Sequence, residues 1–303
     1  MSNFKHRVHE HEIGERLDKV LVPLNKSYAR HQIQSWIKAG NVLVNGQVVK
    51  ANYKCRQDDL VSWYIEEKEE ITIKAEDIPL EIVYEDDSLI VINKPKGMLV
   101  HPTEKIHQGT LVNALKYHSP NLSNLSGEER PGIVHRLDQY TSGLMVACKD
   151  NESHEDLKKQ FKEQSVTRQY EAIVYGLLAH EKGVIKAPIG RNPKNRLKRA
   201  VVDDGKYAET RFHVLGRGAQ HTHLACQLMT GRTHQIRVHL KYINHPIVGD
   251  PLYSRKQTKD IKEQALFAKT LGFIHPQSKE YMEFTIEAPD DFAHLLKLYQ
   301  IMA

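Results

Sequence analysis

Short apolar runs separated by turn residues recur from residue 81 onward, and this pattern restricts the fold more than any other feature. Each run has the length and composition of a β-strand, and they cover 89–95, 143–147, 170–175, 222–228 and 284–286. Helical spacing occurs in fewer places, namely 111–117, 153–161, 234–243 and 292–299. Because these helices do not alternate regularly with the strands, the pattern predicts an α+β domain on a mixed or antiparallel sheet rather than a doubly wound fold.

The composition is that of an ordinary globular protein. The 303 residues are 40% hydrophobic and 27% charged, which is enough for one large or two unequal domains. The three cysteines are far apart in sequence, so neither a disulfide framework nor a Cys-x-x-Cys metal site is indicated, and we expect a reducing compartment. Residues 1–17 lack a continuous apolar segment. We therefore expect a cytoplasmic protein with no membrane association.

Two short helices are predicted near the beginning of the chain. Residues 16–21 have the spacing of an amphipathic helix, which Pro23 should end. Ser27 is placed to cap a second helix over 28–38, and Gly40 is well placed to end it.

A small sheet should follow these helices. Asn45 and Gly46 lie between apolar residues, which is the strongest short signal for a hairpin, and 60–65 predicts a further strand. Eight Lys or Arg residues stand against four acids between residues 15 and 59. Such a surface can contact phosphates, although charge alone favours an ordinary solvated helix face.

This segment, with its Arg-Leu-Asp-Lys start and its Val-x-Val-Asn-Gly hairpin, resembles the S4 RNA-binding module. The resemblance implies a domain over 14–72 whose RNA-facing surface includes Ser27, Arg30, Lys38 and Lys50. Six acids against two lysines over 66–77 then indicate a solvated linker. We place the linker at 73–80 and the second domain at 81–303.

One carboxylate stands out in the second domain. Asp138 lies in a polar stretch, 135–142, between the apolar residues 133–134 and 144–147, which predicts a strand, a short excursion and a second strand. An Asp close to an Arg, here Arg136, stays ionised because the opposite charge favours the anion, and an ionised carboxylate can act as a nucleophile or a base. An Asp that hydrogen-bonds its own turn is an equally good interpretation of this stretch alone.

Two distant segments offer possible partners. The alternating strand that begins at Arg168 could point Tyr170 inward, and a glycine turn at Arg232 leads into a helix that contains Arg237. Taken singly, Tyr170 is better explained as a core aromatic residue and each arginine as part of a surface ion pair.

Together these segments resemble the RNA pseudouridine synthases, in particular the branch that acts on uridines of large-subunit ribosomal RNA and some transfer RNA. The matching motifs span nearly the whole chain and are Asn-Lys-Pro-x-Gly at 93–97, Pro-Gly-Ile-Val at 131–134, His-Arg-Leu-Asp at 135–138, Thr-Ser-Gly-Leu at 141–144, the strand with Tyr170, the block 230–239 and His-Pro-Ile-Val-Gly-Asp at 245–250. Gln139 and Tyr140 depart from the family pattern. If the fit of the substrate differs from that of relatives, we expect the difference at these two residues.

The resemblance implies a mechanism without cofactor or metal. Asp138 would act as a nucleophile or base, with attack at C1′, attack at C6 and proton abstraction at C2′ all open. Arg237 would pair with Asp138, and Tyr170 would stack on the uracil. Arg136 would fill the place that the uridine vacates, and Thr141 would help to shape the pocket.

Further basic residues are assigned to substrate or RNA binding. Arg232 is one of them. The segment 191–199 contains Arg191, Lys194, Arg196, Lys198 and Arg199 without any acid, and its Asn-Pro and Asn residues predict a loop. We favour an arm that grips the RNA backbone over a plain exposed loop.

Other chemistries fit the sequence less well. A haloacid-dehalogenase-type phosphatase needs a second Asp where this chain has Tyr140, and neither a Gly-x-Ser-x-Gly elbow nor a phosphate-binding Gly-x-x-x-x-Gly-Lys loop occurs. The histidine pairs at 9/11 and 221/223 lack a third metal ligand of clear spacing. We expect a monomer that acts on ribosomal RNA, free or in pre-ribosomal particles. The alternatives are the same reaction on transfer RNA and a non-enzymatic S4-type assembly factor.

Overall fold

The computed structural model describes residues 2–25, 28, 30–65, 73–103, 105–195, 197–256 and 258–302. They fall into two compact units, Met1–Ile71 and Thr72–Ala303. Ser27 and Arg196, both predicted to face RNA, lie outside the described residues. No helix in the described part of the chain has the length and apolar content needed to cross a membrane.

The small unit is a four-stranded antiparallel sheet with two helices. Its elements are β1 (Ser2–Arg7), α1 (Leu17–Leu24), α2 (Arg30–Ala39), β2 (Val42–Val44), β3 (Gln47–Val48) and β4 (Leu60–Ile65), and the strand order is β1-β4-β2-β3. Leu17, Leu21, Ile33 and Ile37 of the helices are buried in one cluster with the sheet residue Val61. The predicted hairpin is present, with both Asn45 and Gly46 at positive φ.

One expectation for this unit was wrong, and one strand was missed. Pro23 does not end α1, which continues to Leu24, because the fixed φ of proline is itself helical and the residue removes only one hydrogen bond near the helix end. Strand β1 was not predicted at all. Its apolar content is low, and it is held by antiparallel backbone pairing with β4 and by Phe4 stacking on Trp63 at 5.5 Å between ring centroids.

The large unit is built on a nine-stranded sheet. Its strands are β5 (Glu81–Glu85), β6 (Leu89–Lys94), β7 (Ser142–Cys148), β8 (Thr167–Tyr175), β9 (Lys182–Lys186), β12 (Glu209–Arg217), β13 (His221–Leu228), β14 (Leu266–Ile274) and β15 (Tyr281–Thr285). A separate two-stranded ribbon joins β10 (Ile189–Arg191) to β11 (Arg199–Val201). The helices are α3 (Leu111–His118), α4 (Asn151–Glu163), α5 (Gln235–Tyr242) and α6 (Asp290–Leu298).

The predicted α+β class is confirmed. The sheet order is β5-β6-β7-β14-β8-β13-β12-β9, with β15 on β14, and the pairing of β7 with β14 is parallel while the other pairs are antiparallel. The central strands are apolar on both faces. In β6, Ile90 and Ile92 join one hydrophobic cluster, whereas Leu89 and Val91 join another that includes Leu157 of α4. A continuous apolar run is therefore needed there.

The segment before Asp138 differs from the prediction. Ile133 forms only an isolated bridge to Ala147, and residues 131–141 contain no strand. The segment crosses the end of β7, beyond the two residues that pair with β14. Besides the bridge, its contacts with β7 are a hydrogen bond from Cys148 N to the Gly132 carbonyl and one from Val146 N to His135 Nε2, which do not form a strand ladder. The stretch that carries Asp138 is therefore a loop packed against the end of β7.

The described part of the predicted linker is attached to the large unit. Residues 73–80 have neither helix nor strand, but Ile73 is buried in the main core. Lys116 Nζ donates a hydrogen bond to the Ile73 carbonyl at 2.9 Å, and Asn113 Nδ2 donates to that of Lys74 at 2.8 Å. This segment is thus fixed by α3 rather than freely solvated, and the limits 14–72 and 81–303 stay predictions.

Gly143 permits the close approach of β7 to β14. Its φ is +118°, and a Cβ here would overlap the backbone N, C and O atoms of Ala268 on β14. We expect Gly143→Ala to destabilise the large unit by roughly 3 kcal/mol or more, because strain and overlap act together. Urea unfolding followed by circular dichroism measures this.

Gly109→Ala is the matched control for this prediction. Gly109 also has a positive φ, of +69°, but a Cβ there meets nothing within 4 Å. We expect a cost of only about 1 kcal/mol, from backbone strain alone. Equal losses in the two variants would show that the close approach of β7 and β14 is not what requires Gly143.

Candidate active site

Asp138 lies in a loop that is held in place by the chain before it. Gly97 N donates to the carbonyl of Gln139 at 2.9 Å, and Gln139 Nε2 donates to the carbonyl of Gly97 at 3.0 Å. Gln139 therefore holds the loop against the turn after β6. Tyr140 is partly exposed.

Lys94 also holds this loop in place. Its side chain is fully buried, and Nζ donates to the carbonyls of Pro95, Met98 and Gln139 at 2.8, 2.9 and 3.2 Å. Burial lowers the pKa of Lys94 to about 7, although the nearby Asp138 charge opposes this. Sequence reasoning assigned no role to this lysine because buried lysines are rare. Its position in the 93–97 motif was the available signal.

Arg237 on α5 joins two carboxylates. Nη1 donates to Asp138 Oδ2 at 2.8 Å, while Nε and Nη2 form a bidentate pair with Asp250 at 2.8 and 2.9 Å. Burial alone would lower the pKa of Arg237, but the hydrogen bonds and charge of Asp250, together with Asp138, raise it. The guanidinium is therefore a fixed cation that orients Asp138 through Oδ2, while Oδ1 accepts no hydrogen bond from the residues that the structure describes.

Asp250 is the residue that fixes Arg237, and sequence reasoning gave it no role. Its Oδ1 also accepts hydrogen bonds from the backbone N–H groups of Leu252 and Tyr253 at 2.9 and 3.0 Å. The side chain is fully buried. Its position at the end of the 245–250 motif was the sequence signal for it.

A pocket of about 590 Å³ opens in front of Asp138. Its lining includes Asp138, Tyr170, Arg136, Thr141, Arg232 and His234. The volume lies within the range of pockets that hold small molecules or a single nucleoside. The structure thus brings the candidate residues of three distant segments to one cavity.

Tyr170 on β8 forms one wall of this pocket. The residue is buried, and burial raises the pKa of its hydroxyl to about 12, with Arg168 opposing and Asp138 reinforcing the shift. The phenol is therefore neutral at pH 7 and offers an apolar ring face beside Asp138. Such a face suits stacking on a planar base.

The other predicted pocket residues have different surroundings. Arg136 is exposed at the pocket, with Nη1 3.4 Å from His101 Nε2. Thr141 is buried, and its Oγ1 accepts a hydrogen bond from Gln264 Nε2 at 3.3 Å. Arg232 also lines the pocket, and its Nε donates to the carbonyl of Tyr207 at 2.9 Å.

The basic segment 191–199 was predicted to be a loop, but its two ends belong to β-strands. Arg191 and Arg199 lie opposite one another in the ribbon of β10 and β11, and residues 192–195 and 197–198 have neither helix nor strand. The ribbon is anchored, since the Arg199 backbone N donates to Tyr253 Oη at 2.8 Å. The positive charge of Arg199 acts on both Arg136 and His234. The base of the ribbon thus lies beside the pocket.

His234 was also missed, although it stands inside the 230–239 motif. It precedes α5 with a left-handed φ of +58°, which is uncommon for a residue other than glycine. Its Nδ1 lies 2.8 Å from Tyr253 Oη, and its Nε2 lies 3.9 Å from Asp138 Oδ1. Within the described ranges, no three His, Cys, Asp or Glu side chains are grouped so that they could hold a metal ion.

In the small unit, the predicted RNA-facing residues are not equivalent. Arg30 is tied to the buried Asp18, with Nη2 donating to Oδ2 at 2.9 Å, and Arg16 binds the same carboxylate. These partners lower the pKa of Asp18 against the effect of its burial. Lys38 and Lys50 are exposed. Arg30 therefore stabilises the unit through Asp18 while 46% of its side chain stays exposed, and neither lysine forms such an ion pair among the residues that the structure describes.

Comparison with known proteins decides the family. Residues 88–242 match the family described as RNA pseudouridylate synthase, and residues 15–61 match the S4 domain. The chain belongs to the RNA pseudouridine synthases. The Asp138 loop, Tyr170 and Arg237 all lie within the first match.

Individual relatives agree with this assignment over nearly the full chain. The RNA pseudouridine synthase YlyB of Bacillus subtilis (strain 168) is 48% identical over 288 residues, which are 95% of each chain. Ribosomal large subunit pseudouridine synthase D of Pseudomonas aeruginosa is 42% identical over 298 residues, covering 94% of this chain and 92% of that one. The structure of human RNA pseudouridylate synthase domain containing 1 aligns with a TM-score of 0.59 at 25% identity, covering 74% of this chain and 87% of that one.

The resemblance inferred from the motifs is therefore confirmed. This RNA pseudouridine synthase is an isomerase that acts on RNA, with an S4 domain ahead of its catalytic domain. The non-enzymatic alternative gains no support from these relatives.

Proposed function

We propose that this RNA pseudouridine synthase isomerises specific uridines of large-subunit ribosomal RNA, with Asp138 as the nucleophile or base. The observation that carries the proposal is the geometry of Asp138, which lines a nucleoside-sized pocket and whose Oδ2 is bound to Arg237. The large-subunit substrate is supported by the name of the Pseudomonas aeruginosa relative. We further propose that the protein acts as a monomer, on free or pre-ribosomal RNA in the cytoplasm.

The reaction conserves atoms and electrons. The N1–C1′ bond of the uridine breaks, the uracil turns, and C5 joins C1′ while its proton leaves to solvent and N1 takes one up. An ionised Asp138 supplies the negative charge that cleavage needs, and Arg237 keeps it ionised and oriented.

The other residues at the pocket bind and position the RNA. The uridine has to leave its stack to reach Asp138, which costs a few kcal/mol. Tyr170 offsets part of this cost by stacking on the uracil. Arg136, exposed beside the pocket, fills the position that the base has left. Arg232 and the ribbon arginines Arg191 and Arg199 contact neighbouring phosphates.

Release of tritium tests the substrate assignment. Transcripts of large-subunit ribosomal RNA and of transfer RNA, each labelled at C5 of uridine, are incubated with the purified protein. We expect release from the ribosomal transcript only, because C5 loses its hydrogen when it joins C1′. Release from transfer RNA alone would contradict the substrate. Binding without release from either RNA would favour the assembly-factor alternative.

The S4 unit should contribute affinity by binding phosphates. We expect Lys38→Gln/Lys50→Gln to weaken RNA binding and to reduce the slope of log K against log salt by about 0.7–0.9 for each phosphate that the variant no longer neutralises. Fluorescence anisotropy over a salt series measures this slope. Lys262→Gln/Lys297→Gln, which makes the same charge change at exposed positions of the other unit, is the control. An unchanged slope in Lys38→Gln/Lys50→Gln would contradict the use of this face.

A further inference from the structure

A hydrogen-bonded chain runs from the ribbon to Asp138 through Tyr253 and His234. The backbone N–H of Arg199 donates to Tyr253 Oη at 2.8 Å, and the same oxygen lies 2.8 Å from His234 Nδ1. Tyr253 is almost fully buried, at 3% exposure. Its hydroxyl therefore has to satisfy its hydrogen bonds with these neighbours.

This chain selects one tautomer of His234. The Arg199 amide can only donate, so the oxygen of Tyr253 accepts from it. If the hydroxyl also accepted from His234, its own proton would be left without a partner in a buried position, which is costly. The hydroxyl therefore donates to Nδ1, and the proton of the neutral imidazole is on Nε2. Burial lowers the pKa of His234, which favours this neutral form.

The protonated Nε2 faces Asp138 without bonding it. The distance from Nε2 to Oδ1 is 3.9 Å, too long for a hydrogen bond, and both residues line the pocket. An atom placed beside this gap could lie within hydrogen-bond distance of both. It would have to accept from the imidazole N–H and donate to the carboxylate at the same time.

Within an RNA chain, a single group of uridine meets this requirement. The carbonyl oxygens of uracil, the ring oxygen of ribose and the phosphate oxygens only accept, and N3–H only donates. The 3′ and 5′ oxygens are esterified. The 2′-hydroxyl both accepts and donates, and it is also the group that distinguishes RNA from DNA.

We propose that His234 Nε2–H and Asp138 Oδ1 together hold the 2′-hydroxyl of the target nucleotide, with Tyr253 as the positioning residue that sets the tautomer. The inference rests on the proposed role of Asp138 and deepens it. It makes His234 a substrate-binding residue that selects ribose at the reacting position. It also connects the RNA-binding ribbon to the active site through one buried tyrosine.

The test compares two versions of one RNA. The substrate is a short transcript around a uridine mapped in whichever RNA releases tritium, prepared with either uridine or 2′-deoxyuridine at that position alone. Discrimination is the ratio of the two kcat/KM values. Any intrinsic effect of the 2′-hydroxyl on glycosidic bond cleavage is the same in every variant, so the comparison between proteins isolates the hydrogen bond.

His234→Gly is the first variant, since glycine adopts φ +58° without strain and the backbone is preserved. We expect wild-type discrimination to exceed that of His234→Gly by about 10-fold or more, as for one hydrogen bond in a desolvated site. Equal discrimination in the two proteins would overturn the proposal. Conversion of the all-ribose RNA by the wild type reports separately on the proposed function.

Tyr253→Phe is the second variant, and it keeps the ring while removing the hydroxyl. We expect discrimination to fall in the same direction, because Nδ1 no longer has a donor and the proton is no longer confined to Nε2. A purely structural loss would lower both kcat/KM values without changing their ratio. Unchanged discrimination in Tyr253→Phe would overturn the positioning role of Tyr253.

Discussion

Asp138→Asn is expected to lower kcat at least about 1000-fold, the order of loss seen when a nucleophile or essential base is removed. The amide has no negative charge with which to attack the nucleotide or take a proton. Its oxygen can still accept from Arg237 Nη1, so the loop should keep its position. Single-turnover tritium release from the ribosomal transcript measures the loss, and RNA affinity by anisotropy should change little.

Asp204→Asn is the matched control, since Asp204 is an exposed acid of the same unit. It makes the same chemical change away from the pocket and should leave kcat unchanged. If Asp138→Asn kept more than a tenth of the wild-type kcat while Asp204→Asn was fully active, the assignment of Asp138 as nucleophile or base would be wrong.

Arg237→Met is expected to have the second largest effect, on stability as well as on activity. It leaves the carboxylate of Asp250 fully buried without its cation, which typically costs about 3–5 kcal/mol. Asp138 would lose its orienting hydrogen bond at the same time. Urea unfolding followed by circular dichroism measures the large unit. Tryptophan fluorescence is an internal control, because both tryptophans, Trp36 and Trp63, lie in the small unit.

Two further variants separate charge from geometry at this site. Arg237→Lys keeps the cation but cannot bind both carboxylates, so we expect partial stability and poor activity. Arg237→Met/Asp250→Asn removes the orphaned charge and should be more stable than Arg237→Met alone. If the double variant were no more stable, the cost of Arg237→Met would not come from the unpaired carboxylate.

The elements that could be predicted from the sequence are those with a strong local pattern. Strand β6 is buried on both faces and reads as an unbroken apolar run, and the Asn45-Gly46 hairpin follows from backbone preferences alone. Strand β1 has no such pattern, because its pairing with β4 depends on partners almost 60 residues away. Ile133 looked like a strand residue, but it makes only one bridge, to Ala147, and the sequence does not show how many residues of an apolar run will pair with another strand.

The same limit applies to the candidate site. The motifs indicated Asp138, Tyr170 and Arg237, and the structure brings all three to one pocket, while their catalytic roles stay predictions. Tyr253 and Asp250 contact His234 and Arg237, which belong to a different part of the chain. Such pairings leave no periodic pattern in the sequence. Arg30 shows a second kind of contact that the sequence does not mark, since a cation predicted to face RNA also binds the buried Asp18, and its RNA-facing role stays a prediction.

Mapping of pseudouridines in cells tests the central claim most directly. Large-subunit ribosomal RNA is taken from a strain that lacks the gene and from the same strain carrying wild-type or Asp138→Asn protein. The RNA is treated with a pseudouridine-selective carbodiimide and scanned for reverse-transcription stops. We expect one or more stops to vanish in the deletion strain, to return with the wild type and to stay absent with Asp138→Asn. Persistence of every stop in the deletion strain, or their return with Asp138→Asn, would contradict the account.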